Sequence, residues 1–270
     1  MRCVILPLIA AALCACVPYP GALPEDYGGR TAIVTGAFPA LDAGAAEQSS
    51  LHFFVRAYGG LKAQKIADMA ENAYNRIMVD TGLTSFKPLG GQYQLVIYGN
   101  AEEYRKKTSQ PSWSNGVAVG NAVYSHEGPH LEKVVSHEMT HLIFYEYMGR
   151  VVMEHRWVNE GLAVYEESKA GQPASGGSLP PPASRSFNWQ PLPMDQMLRL
   201  VPATEREYTV NNWYAQAESM VRFMVERGGR IGFSQFLAAL RKDAGWDAAF
   251  VEGFPGIWSS LSDFEQAWKR

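Results

Sequence analysis

Apolar residues recur at spacings of three and four between positions 62 and 79. Ile66, Met69, Ala70, Ala73, Tyr74 and Ile77 share one face, which predicts a helix, and Gly82 follows as its stop. On either side the period shortens. Stretches rich in β-branched and aromatic residues at 31–35, 52–58, 92–98 and 117–124 predict strands. Asn100 stands where it caps a short helix over 101–107. From about 129 onward the pattern is mainly helical. Pro129 is placed to open a helix that runs to Met148 and stops at Gly149. Further helices are expected over 157–169, 194–200, 211–227, 233–242 and 261–268, with Gly228-Gly229 separating two of them. The 171–193 stretch, dense in Pro, Gly and Ser, reads as a connector or a cleft wall. These elements predict an α+β protein: a small α/β lobe with a mixed sheet over 31–125, then a mainly helical lobe over 126–270.

Composition adds little to that picture except at the N-terminus. The chain has 270 residues, 47% hydrophobic and 19% charged, which suits one large domain or two small ones. Net charge is −3 and no Lys or Arg run stands out, so nucleic acid is not an expected partner. All three cysteines, Cys3, Cys14 and Cys16, precede position 17. A disulfide framework is therefore excluded for the body, and any metal site there must use His and carboxylates. Arg2 and the apolar residues 4–13 form a targeting element too short to span a bilayer. Leu13-Cys14-Ala15-Cys16 resembles a bacterial lipobox, with Cys16 as the acylated residue; the alternative is an ordinary secretory signal cut nearby. On the first reading 1–16 is a signal peptide, 17–30 a Pro/Gly-rich tether, and the membrane is met through the lipid. Val17 does not resemble an inner-membrane retention signal. The expected place is the bacterial cell envelope, on the outer membrane facing the periplasm.

The chemistry is concentrated in two adjoining helices. His137-Glu138-Met139-Thr140-His141 is an H-E-x-x-H motif. On a helix its histidines lie one turn apart on one face and can share a Zn²⁺, while Glu138 projects beside the metal as a base. Two surface histidines on an amphipathic helix are the bland reading of the same residues. A catalytic zinc also needs a third ligand and an open position. Glu160, in Trp157-Val158-Asn159-Glu160-Gly161-Leu162-Ala163, follows His141 after the eighteen residues 142–159. That is enough chain to finish one helix and send a second back past the metal.

H-E-x-x-H, eighteen residues, then W-x-N-E-G-x-A resembles the gluzincin clan of zinc peptidases, and the body resembles its small bacterial peptidase MA-like family. The supporting pieces are the strand around His52–Val55, Val96-Ile97-Tyr98 with Glu102-Glu103-Tyr104, the Gly116–Tyr124 segment, and Tyr214-Ala215-Gln216 with Glu226-Arg227-Gly228-Gly229. The resemblance implies a thermolysin-like catalytic unit with one zinc on His137, His141 and Glu160, and Glu138 as general base in peptide-bond hydrolysis. It implies that the 117–124 strand is an exposed sheet edge that binds substrate backbone, and that Tyr214 donates to the oxyanion. Asn159 and Glu167 are expected to orient the ligands. Glu167 enters because Val164 stands where thermolysin has a supporting Asp. The amine-binding motif of the large zinc aminopeptidases is absent, so their specificity is not implied.

The remaining histidines divide on position. His155, His126 and His130 flank the two site helices and are candidates to line the cleft, with a structural role as the plainer reading; His52 reads as structural. A catalytically silent lipoprotein that keeps the fold as a binding or assembly module is the main alternative to a peptidase of peptides or proteins. A non-heme iron enzyme is a second, since two histidines and a carboxylate also suit Fe(II).

Overall fold

The computed structural model describes residues 38–83, 91–171, 190–199 and 207–270. The strand expected at 31–35, the N-terminal signal with Cys16, the 17–30 segment and most of the 171–193 connector lie outside the described residues.

The protein is α+β, as the periodicity predicted. Five strands, β1 (Ala45–Ser49), β2 (Phe53–Tyr58), β3 (Tyr93–Tyr98), β4 (Gly116–Val119) and β5 (Ala122–His126), form one sheet in the order β1-β2-β3-β5-β4. The sheet is mixed: β2–β3 and β3–β5 are parallel, β1–β2 and β4–β5 antiparallel. Central β3 is covered on both faces, which suits its apolar Leu95, Val96 and Ile97.

One expectation is corrected here. The single strand expected over 117–124 is a hairpin, β4 and β5, in which Val117 pairs with Tyr124 and Val119 with Ala122. Gly120, at φ 61, and Asn121 make the two-residue turn, a position that only a glycine fills without strain. Of these two, β4 is an edge of the sheet among the described residues and β5 lies inside it.

Helix α1 (Gly60–Thr81) lays Ala63, Ala67, Ala70 and Ile77 on the face formed by Phe53, Val55, Leu95 and Ile97. It ends at Gly82 in the left-handed region. Helix α2 (Ala101–Thr108) starts where expected: the Asn100 side chain accepts from the Glu103 N–H at 2.9 Å. Its Tyr104 joins Val96, Tyr98, Val117 and Tyr124 in a smaller cluster on the opposite face of the sheet.

The helical part comprises α3 (Leu131–Met148), α4 (Arg156–Lys169), α5 (Met194–Arg199), α6 (Glu207–Arg241), α7 (Trp246–Gly253) and α8 (Leu261–Lys269). Helix α3 begins two residues past Pro129 and stops at Gly149, φ 69. The two helices expected around Gly228-Gly229 are one long α6, kinked at Gly229 (φ 75, ψ 166). Helix α7 was not expected, and it closes an aromatic cluster of Phe236, Phe250, Phe254, Trp258 and Phe264. The main core takes residues from α1, α3, α4 and α6, so both halves of the chain share it. Among the described residues no helix is long and apolar enough to cross a membrane.

Candidate metal centre and its cleft

Helix α3 is not an amphipathic surface helix. Every residue from Val134 to Phe144 is buried, His137 at 0% and His141 at 6% exposure included. Burial on all sides comes from the sheet, α4, α1 and α6, each of which covers part of it. Two glycines set how closely the walls approach. A Cβ on Gly116 of β4 would lie 2.4 Å from Val134 Cγ1 and 3.4 Å from Glu138 Cγ. A Cβ on Gly161 of α4 would lie 2.4 Å from the Ala217 carbonyl oxygen on α6. The first lets the edge strand meet α3 at Glu138, and the second seats α4, with Glu160 next in sequence, against α6.

Helices α3 and α4 bring His137, His141 and Glu160 together as one buried group whose ligand atoms all lie within 4.8 Å of one another. Glu160 Oε2 is 3.5 Å from His141 Nε2 and 3.9 Å from His137 Nε2. Ligands of a tetrahedral ion at about 2.0–2.1 Å sit roughly 3.3 Å apart, so small adjustments close this group on a metal. All three atoms are buried with no protein hydrogen-bond partner. Orphaned buried polar atoms are costly, and three of them facing one point fit a cation.

The far sides of the rings are engaged. His137 Nδ1 lies 3.0 Å from Glu167 Oε2, and His141 Nδ1 lies 3.1 Å from Asn159 Oδ1. A donor role for each Nδ1–H leaves each Nε2 as a lone pair turned to the group, the tautomer a metal needs. Glu167 and Glu160 lie on one helix seven residues apart, and Asn159 is one residue before Glu160. A single helix could thus supply one metal ligand and both groups that orient the imidazoles.

Burial shapes the charges. Glu160 is pushed up to about 7 by burial, with His137 pulling down and Glu138 pushing further up. His141 is held down at about 3 by burial and by His137. For His137 burial also pulls downward, but the hydrogen bond it donates to Glu167 and the charges of Glu138, Glu167 and Glu160 outweigh it and leave it raised. A divalent cation would hold both rings neutral and Glu160 ionised.

The group opens on one side into a cleft of about 450 Å³, its mouth included, lined by Glu138, His141, Tyr145, Glu160, Val117, Ala118 and Trp113 among others. Glu138 is 2% exposed, borders the cleft, and is not one of the three converging residues. Edge strand β4 is one wall. Trp113, 47% exposed, and Tyr145 were not singled out from the sequence. Tyr145 had a signal, four residues after His141 on the same helical face; Trp113, in the turn before β4, had none.

Other expected residues fall elsewhere. Tyr214 is 3% exposed, packs edge-on against Trp213 in the main core, and is not among the residues that line the cleft. His126 and His130 border a separate pocket at the start of α3, where His126 Nε2 lies 3.3 Å from Asn115 Oδ1. His155 is 9% exposed, edge-on to Trp246, and lines a pocket beside the cleft. His52 stacks on Tyr74 at 4.0 Å and bonds Glu71, a structural arrangement.

Behind the site, Arg76 of α1 donates to Ser136 Oγ at 2.9 Å and to Glu166 Oε2 at 3.1 Å. Ser136 precedes His137 and Glu166 precedes Glu167, so one guanidinium ties both site helices to α1. No family model matches the chain, and no curated protein matches it significantly.

Proposed function

We propose that the chain is a zinc-dependent peptidase with a thermolysin-like, gluzincin-type centre, in which His137, His141 and Glu160 hold one zinc and Glu138 is the general base. The observation that carries this reading is the convergence of three partnerless buried ligand atoms beside an acid that is not one of them. Zinc bound there would polarise a peptide carbonyl and lower the pKa of a water. Glu138 takes the proton of the attacking water and passes it to the leaving amine nitrogen as the C–N bond breaks. Glu167 and Asn159 keep the imidazoles in the ligand tautomer. Strand β4, paired on one side only among the described residues, would offer its outer backbone edge to an extended peptide lying across the cleft. Export and acylation at Cys16 belong to the same reading, and place the activity in the cell envelope.

The test is cleavage of a peptide library by zinc-loaded wild type and Glu138→Gln, with metal content measured in parallel. Glu138→Gln should keep its zinc and lose at least ~10²-fold in turnover. Equal turnover would refute the mechanism, and iron in place of zinc would redirect it. A wild type that holds zinc and cleaves nothing would favour the silent binding module.

A further inference from the structure

A second, shallow pocket of about 380 Å³, its open mouth included, adjoins the cleft, and Tyr145 lines both. Its walls are Phe144, Val151, Val152 and Met153, with His155, Arg156 and Asn159. The polar content of this apolar space is unusual. Arg156, half-buried on the first turn of α4, forms no ion pair within 4 Å among the described residues; its charge reaches Glu160 only at longer range, and among those residues its side chain donates to Met153 Sδ at 3.2 Å. A thioether is a weak acceptor and leaves the guanidinium fork unspent. Asn159 is 1% exposed and its Nδ2 has no protein partner. The amide cannot turn over to satisfy it. Nδ2 facing His141 Nδ1 would force the proton onto Nε2, the atom the metal group needs free. His155, which also lines the pocket, is held neutral near neutral pH, at about 4, by burial and by Arg150.

We propose that this pocket is a substrate subsite for a carboxylate borne on an apolar residue, namely the free C-terminal residue of a peptide, held by Arg156 and Asn159. The inference rests on the peptidase reading and supplies its substrate class. A planar guanidinium takes both carboxylate oxygens, and the start of α4 favours an anion. The four apolar walls choose between the two sources of a carboxylate. A C-terminal residue brings an apolar side chain together with its charge, which an Asp or Glu side chain does not.

The test uses the full chain in detergent. Two peptides ending in Phe, one with a free carboxylate and one amidated, are offered to zinc-loaded wild type, Arg156→Gln and Arg156→Lys. The free acid should be cleaved about 10- to 100-fold better in kcat/KM, the worth of a hydrogen bond to a charged group. Arg156→Gln should erase that ratio, and Arg156→Lys should keep part of it because the charge stays. Equal rates on both peptides in wild type, or a ratio that survives in Arg156→Gln, overturns the proposal. A preference that instead follows an internal Glu in an amidated peptide overturns the C-terminal assignment.

A binding arm separates this proposal from the peptidase reading. N-acetyl-L-phenylalanine and its amide are titrated into metal-free protein, whose fold is checked by circular dichroism. Tighter binding of the acid, lost in Arg156→Gln, supports the pocket even if no peptide is cut, a result that sinks only the peptidase. Equal binding of acid and amide overturns the pocket whatever is cut.

Discussion

Gly161→Ala tests whether the packing of α4 on α6 sets the metal group. The new methyl would stand 2.4 Å from the Ala217 carbonyl oxygen, 2.6 Å from its carbon and 2.9 Å from Val221 Cγ2. Two of these are backbone atoms and cannot swing aside. Ordinary contact begins near 3.4 Å, so the helices must part by about 3.4 − 2.4 = 1.0 Å. Overpacking of this kind costs about 1–3 kcal/mol. In a domain of this size that is a fall of roughly 2–12 °C in Tm. Glu160 is the preceding residue and moves with the backbone. Metal bonds tolerate only about 0.2 Å, so zinc affinity should fall by at least about tenfold. The control is Gly232→Ala, whose methyl would meet the Gly253 carbonyl oxygen at 2.7 Å in the α6–α7 contact. It should lower Tm comparably and leave zinc affinity alone. Chelator competition and thermal melts read both quantities. Wild-type zinc affinity in Gly161→Ala, or an equal loss in Gly232→Ala, would refute the argument.

Arg76→Met should destabilise by about 3–5 kcal/mol in urea, because it strands Glu166, buried at 0% exposure, without its cation. Adding Glu166→Gln should recover most of that loss; a double variant no more stable than the single would contradict the account. Glu71 offers a pH test. Burial raises its carboxyl, but hydrogen bonds from the His52 ring, the His52 N–H and Ser50 Oγ outweigh burial and leave it below 4.5. A depressed carboxyl stabilises the fold above its unfolded value and loses that contribution as pH falls from about 4.5 through its folded value. The stability gap between wild type and Glu71→Gln, measured in urea, should therefore narrow with falling pH below that point, and a gap that widened would refute the assignment. Stripping the metal with a chelator should lower Tm, by the equivalent of about 4 kcal/mol where free zinc had stood at 1,000 times Kd; an unchanged melt would show that the three ligands bind nothing. Cys16→Ser should yield a soluble or uncleaved protein, and a free, unlipidated N-terminus on the mature wild type, read by mass spectrometry, would remove the anchor.

Both periodicity and motif spacing were legible where they were local. Helix α1 shows its face at every third and fourth residue, and Asn100 and Gly149 mark ends that the backbone obeys. Strand β1 escaped notice because Ala45-Ala46-Glu47-Gln48-Ser49 is a half-exposed edge with no apolar face to display. The β4–β5 turn did carry a signal, a Gly-Asn pair between alternating apolar residues, but hydrophobicity runs through it unbroken. Gly228-Gly229 signalled a break, and the structure spends it on one kinked residue within α6. Tyr214 illustrates the limit. Its place at a helical segment is readable, whereas the neighbours its ring meets depend on how α4 and α6 cross, and that depends on Gly161 meeting Ala217.

The same dependence explains why the ligands were readable and the cleft was not. His137 and His141 are fixed relative to each other by one helical turn, and Glu160, Asn159 and Glu167 by a second helix. Only one crossing, α3 on α4, separates those two local facts from a metal site. Trp113, Val117 and Tyr145 come together through a turn, an edge strand and a helix whose relative placement needs the whole core. Chemistry written into two helices survives translation from sequence with little loss. Specificity drawn from three kinds of element does not, and on the proposed reading it is in that assembled wall, and in the Arg156 pocket beside it, that a choice of substrate would be set.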